Sequence, residues 1–217
     1  MKTISSDQLG AVVEADQLGL CELDPSILEK DLLITEVLGL LADFDWGEFQ
    51  PVFCGGTSLS KGHRLIQRMS EDIDFKLVLP PEWSRNRGTT GLRQLRKQLT
   101  EALRDDGFAL PAGNIAVLNE NRYFCFSLGY QPQFPLVTAL RAELKLDFTA
   151  HTPLLETVAV EVQPMLAEFM DLDGSAVGLQ AVAVQETLVE KVVSFLRRTA
   201  SSVEQRERNR EDEQLVR

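Results

Sequence analysis

The sequence predicts an α+β fold, a mixed β-sheet flanked by helices. It divides into a helical N-terminal portion over 1–50, a core over 51–165 and a helical C-terminal portion over 166–217. Three observations carry that prediction. Apolar residues recur at helical spacing before residue 45 and again after residue 183. Short runs of strand type lie between them, several with apolar and polar residues alternating. A glycine pair joins one such run to a helix-like segment.

Taken in order, Asp24-Pro25 marks a helix start: Asp24 can cap it, and Pro25 suits the first turn, where its missing N–H is not needed. Ile27, Leu28, Leu32, Val37, Leu38 and Leu41 then keep one face apolar to about Phe44. "PVFCGG" reads as a strand and a turn, residues 57–68 as a helix, and "DIDFKLVLP" as a strand stopped by Pro80-Pro81. The stretch 81–91 is aperiodic and reads as a polar loop, with Thr90 as cap of a helix carrying Leu92, Leu95, Leu99 and Leu103. Strands are expected near 108–118, 122–130, 139–149 and 156–163, and a last helix over 183–200. In "RAELKLDFT", Ala142, Leu144, Leu146 and Phe148 share one face, so Glu143, Lys145 and Asp147 share the other.

Composition narrows the class. The 217 residues are 44% hydrophobic and 25% charged, ordinary for a folded globular chain. Net charge is −11, concentrated in residues 1–50, where eleven acids face Lys2 and Lys30. Residues 85–104 reverse the sign, with Arg85, Arg87, Arg93, Arg96, Lys97 and Arg104 against Glu101. Cys21, Cys54 and Cys125 fit neither a zinc spacing nor a disulfide framework and read as reduced thiols. "MKTISSDQLG" has no signal-peptide core, and no apolar run approaches the roughly 18 residues of a membrane span, so a cytoplasmic location is expected.

The chemistry concentrates in "CGGTSLSKGHRLIQRMSEDIDF", residues 54–75. Glycines at a strand-to-helix turn let backbone approach a ligand, and the helix start offers free N–H groups to an anion. Thr57 and Ser58 add hydroxyls. The pattern is not a Walker loop, because it lacks G-x-x-x-x-G-K-[ST]. Asp72 and Asp74, at i and i+2 of a strand, project from one face and repel each other unless a cation joins them. Mg²⁺ accepts carboxylate and phosphate oxygens together, and Asp147 could supply a third carboxylate. A salt bridge of Asp147 with Lys145 or Arg141 is the structural alternative. Lys61 and Arg68 flank the motif, either as phosphate or Asp72 contacts or on a solvated face.

"GGTSLSKGHRLIQRMSEDIDFKL" closely resembles the signature of the AbiEii/AbiGii-type nucleotidyltransferase toxins, of the DNA polymerase β-like nucleotidyltransferase superfamily. "LEKDLLITEVLGLLADF", "ELKLDFT" and "QETLVEKVVSFLRR" extend the resemblance over about residues 28–200. It implies a nucleotidyltransferase-type sheet and transfer of a nucleoside monophosphate from an NTP to a hydroxyl acceptor. It also implies Mg²⁺ or Mn²⁺, an RNA acceptor such as the 3′ end of tRNA, and a cognate antitoxin within a toxin–antitoxin or phage-defence pair. By resemblance, Gly55, Gly56, Thr57 and Ser58 hold the triphosphate, Asp72 and Asp74 bind metal, Asp147 lies near the attacking hydroxyl, and Lys191 contacts the triphosphate. "REDEQLVR" resembles the start of the family's final helix, but the further Tyr-Asp expected after it does not follow Arg217, so a shortened C-terminal portion is expected.

If RNA is the acceptor, an acidic chain needs a local basic surface, and Arg93, Arg96 and Lys97 form the densest candidate. A phosphotransferase on the same fold and an inert binding module are the rival readings.

Overall fold

The computed structural model describes residues 1–66, 69–138, 140–170 and 176–215, with side chains through residue 201. Ser5 opens α1 (Ser6–Gln17) with a capping box: its side chain accepts from the Gln8 amide while Gln8 reaches back to the Ser5 amide. Asp24 caps α2 (Pro25–Asp43) by accepting from the Ser26 amide, with Pro25 at its first position as expected. The apolar stripe of α2, including Leu28, Leu32, Val37, Leu38 and Leu41, is buried.

Seven strands form one mixed sheet in the order β3-β4-β5-β2-β1-β7-β6. They are β1 (Gln50–Cys54), β2 (Asp72–Val78), β3 (Ile115–Leu118), β4 (Tyr123–Gly129), β5 (Glu143–Ala150), β6 (Val158–Val162) and β7 (Val177–Ala181). β2 runs parallel to β5 and β1 parallel to β7; the other neighbours are antiparallel. The alternation in β5 holds: Leu144, Leu146 and Phe148 are buried, while Glu143, Lys145 and Asp147 face the other way. On the buried face Phe75, Phe148 and Phe124 stack, with centroids 5.7 Å and 5.1 Å apart. α2 and α4 (Arg85–Asp105) cover that face, and Leu92, Leu95, Leu99 and Leu103 join the same core. α5 (Val184–Leu215) is buried at Glu186 and Thr187, and all its described side chains from Leu188 to Ser201 are exposed.

Four expectations need correction. The expected polar loop 81–91 is helical from Arg85, because Ser84, not Thr90, caps α4 by accepting from the Arg87 amide. The expected helix 57–68 is a single α-turn, α3 (Gly55–Thr57), continued by a π-helical turn over Ser58–Gly62 and ended by Arg64 at φ 53°. Of the strand expected at 108–118, only 115–118 is regular, and Ala112–Asn114 is a 3₁₀ turn. β7 was not foreseen; it inserts between β1 and β6.

Candidate active site

The sheet's second face carries the charges. Gly55 and Gly56 follow β1 directly, and the space around both is tight. Gly55 sits at φ +78°, and a Cβ there would overlap the Asp74 carboxylate. A Cβ on Gly56 would stand 2.7 Å from Ser70 Oγ. The turn is therefore pressed against the strand that holds the aspartates. Register completes the arrangement: Cys54 pairs with Asp74, Asp74 with Asp147, and Asp72 with Lys145.

These residues border a cleft of about 550 Å³ lined by Gly55, Gly56, Asp72, Asp74 and Lys191. Met69, Ser70, Glu71, Arg141, Glu143 and Lys145 complete its walls. A second cleft of about 380 Å³ shares Gly55, Asp74 and Lys191 and runs past Thr149 and His151 beneath α5. Asp74 stands at the junction. Lys191 reaches it because α5 is anchored at its start: Glu186 pairs with Lys76 at 2.6 Å and accepts from the Leu154 and Leu155 amides. Glu190, beside Lys191 in sequence, pairs with Lys76 instead.

The electrostatics match crowded acids. Burial, then the charges of Asp147 and Asp72, push the Asp74 carboxyl up to about 6. The Asp147 carboxylate accepts from Tyr123 Oη at 3.1 Å and from Lys145 Nζ at 2.9 Å. The hydrogen bond to Asp147 holds the Lys145 ammonium above its ordinary range. Burial, then Asp147, pushes the Tyr123 hydroxyl up to about 12. Asp147 thus shares the sheet face of Glu143 and Lys145 but is not among the residues that line either cleft, and its oxygens are already engaged. Among the described residues, no three His, Cys, Asp or Glu side chains are gathered closely enough to hold an ion as they stand. Asp72 and Asp74 are nonetheless hard oxygen donors on one strand face, and their mutual repulsion suits a divalent cation.

Several candidate residues sit differently from expectation. Thr57 and Ser58 are fully buried. Thr57 Oγ1 donates to the Asp72 carbonyl and Ser58 Oγ to the Gly55 carbonyl, at 3.3 Å for the latter. Their hydroxyls brace the turn. Lys61 is neither a phosphate contact nor solvated: it is buried and paired with Asp31 at 2.6 Å. Arg68 lies outside the described residues. Arg93, Arg96 and Lys97 lie on α4, against the sheet face opposite the cleft, and Arg96 donates to Asn121 at 3.3 Å. Cys21, Cys54 and Cys125 are free thiols, as expected. Sequence reasoning did not assign Glu71, Arg141, Glu143 and Lys145 to the cleft, although alternation in β5 had put Glu143 and Lys145 beside Asp147.

Among the described residues, no helix is long and apolar enough to cross a membrane. No curated protein matches the chain. Of the solved structures, MenT4, a nucleotidyltransferase toxin from Mycobacterium tuberculosis H37Rv, superposes with a TM-score of 0.50 at 19% identity. The match covers 85% of this chain and 58% of that one, a likeness of fold. The family model for the nucleotidyl transferase AbiEii toxin of type IV toxin–antitoxin systems matches residues 40–211, and the chain belongs to that family.

Proposed function

We propose that this protein transfers a nucleoside monophosphate from a nucleoside triphosphate to a hydroxyl of RNA, at the 3′ end of tRNA. It would do so in the cytoplasm as a toxin held by a cognate antitoxin. One observation carries the reading: Gly55-Gly56, Asp72, Asp74 and Lys191, drawn from three separate elements, line a single cleft.

The roles follow from placement. The turn at Gly55 and Gly56 presents backbone without side chains, so a triphosphate can approach it closely. Thr57 and Ser58 contribute by fixing that turn and through their backbone. Lys191 supplies a positive charge from α5. Asp72 and Asp74 would hold Mg²⁺ or Mn²⁺, with Asp147 as the third carboxylate. A divalent ion there would neutralise the leaving pyrophosphate and lower the acceptor's pKa. Asp147 lies beside Asp74 and would orient the attacking hydroxyl. Catalysis is then chiefly placement and charge, with no covalent step on the protein.

Incubation with each α-labelled nucleotide and total tRNA tests this. Label from the α-phosphate is expected on the RNA, with pyrophosphate released. Transfer of the γ-label would assign a phosphotransferase instead. Nucleotide binding without any transfer would assign a binding module.

A further inference from the structure

Three consecutive charged residues of α2, Glu29, Lys30 and Asp31, are all buried, at 0%, 1% and 2% exposure. Successive helix residues point about 100° apart, so the three reach different segments. Glu29 accepts from the Gln133 and Phe134 amides at 2.8 and 3.3 Å. Lys30 donates to the Glu71 carboxylate and to the Arg141 carbonyl, the latter at 3.2 Å. Asp31 accepts from Lys61 Nζ and from the Met165 amide, each at 2.6 Å.

Several of these contacts end on the cleft or on segments that lead to it. Glu71 precedes Asp72 and lines the cleft with Arg141. Glu29 and Lys30 hold the two ends of the β4–β5 connection. Lys61 belongs to the turn that continues from Gly55-Gly56. Stability does not account for this choice of residues, since buried ion pairs are often matched or bettered by apolar side chains of similar volume. Lys30 is the one whose two acceptors both belong to cleft-lining residues, at the approaches to the neighbouring strands β2 and β5.

We propose that Lys30 is a positioning residue. It ties Glu71, just before the Asp72-Asp74 strand, to the Arg141 carbonyl at the approach to β5, and so sets how this end of the cleft meets a triphosphate. The second half of this statement rests on the nucleotidyltransferase reading of the cleft; the clamp itself does not.

The test compares Lys30→Met and Lys30→Arg with the wild type in three measurements: amide exchange, affinity for a non-hydrolysable NTP with Mn²⁺, and Tm. Lys30→Met is expected to speed exchange at 70–74 and 141–145 and to weaken nucleotide binding about tenfold, the change that about 1.4 kcal/mol of lost contact gives. Its Tm should stay within a few degrees of wild type, and Lys30→Arg should restore most of the affinity. Wild-type exchange in Lys30→Met overturns the clamp. So does a loss of affinity matched by a core variant, Leu38→Ala, of equal or lower Tm. If the wild type binds no NTP, the nucleotide reading fails, and exchange alone decides the clamp. Should Lys30→Met not fold, Glu71→Gln breaks the same pair at its half-exposed end. It must then speed exchange at 70–74, and unchanged exchange there overturns the proposal.

Discussion

At Asp74 a single carboxyl connects stability, pH and ligand binding. Its pKa rises from 3.8 to about 6, through burial first and then the neighbouring Asp147 and Asp72 charges. The fold therefore favours the protonated acid. Asp74's contribution to stability is complete below pH 3.8 and is lost as pH rises through about 6. Asp74→Asn should accordingly stabilise the metal-free protein at pH 8 by roughly 2 kcal/mol and have little effect near pH 4. Urea unfolding in EDTA at both pH values checks this; equal gains at both would remove the charge argument. The same variant should lose Mn²⁺ binding, since an amide cannot supply the carboxylate's charge. In the wild type, binding should weaken as pH falls below about 6, because protons compete for Asp74. The glycines give a second prediction at this scale. Gly55→Ala places a Cβ on the Asp74 carboxylate at a positive φ, so it should disturb metal and nucleotide binding together. Gly56→Ala meets only the Ser70 hydroxyl, which can rotate away, and should be milder. Calorimetric nucleotide affinities that rank the two variants in the opposite order would contradict this account of the turn.

Elements explain both what the sequence discloses and what it conceals. Asp72 and Asp74 are legible because strand period fixes their common face, and Asp147 because Leu144, Leu146 and Phe148 claim the other. Their pairing across β2 and β5 is not legible, since register arises from distant chain segments meeting. The same holds for Lys30 and Glu71, 41 residues apart. The start of α4 is concealed by Gly88 and Gly91, which read as loop residues. In the fold their missing side chains make room for Leu79 and Trp83. β7, "VGLQA", is too short and mixed to announce itself. The position of α4 also sharpens the RNA prediction. Arg96, Lys97 and Arg104 border a cavity shared with Ile115 of the edge strand β3. β3 is three strands from β2, about 14 Å at normal strand spacing. RNA with its end in the cleft could reach the patch only by passing around that edge. Replacing Arg93, Arg96 and Lys97 by Gln should reduce the slope of log affinity against log salt by up to about 2. Nucleotide affinity should not change. Parallel salt lines with equal intercepts would exclude the patch and leave the cations of the cleft and α5 to hold RNA.

The molecule as a whole places a clustered negative charge where the proposed substrate is also negative. Net charge is −11, and Glu71, Asp72, Asp74 and Glu143 all border the cleft. Glu71 is paired with Lys30, Glu143 with Arg141 and Lys145 with Asp147, so Asp72 and Asp74 are the carboxylates that face Lys191. A triphosphate entering alone would meet uncompensated carboxylates; a divalent ion entering alone would relieve them but leave the phosphate turn without a partner. The two ligands should therefore stabilise the fold cooperatively. At one hundred times its Kd, a ligand that binds only the folded state adds about 2.7 kcal/mol. For a chain of 217 residues this corresponds to a rise in Tm of about 5–10 °C. Mn²⁺ with a non-hydrolysable NTP should give that rise, exceeding the sum of the two separate shifts. In Asp72→Asn and Lys191→Ala the excess over the sum should disappear, because each variant removes one side of the ligand pair. The controls at this scale are α4 substitutions, which leave the cleft intact and should preserve the full shift. Equal shifts from NTP with EDTA and from NTP with Mn²⁺ would show that nucleotide is held without a cation. The carboxylates of β2 would then need another role.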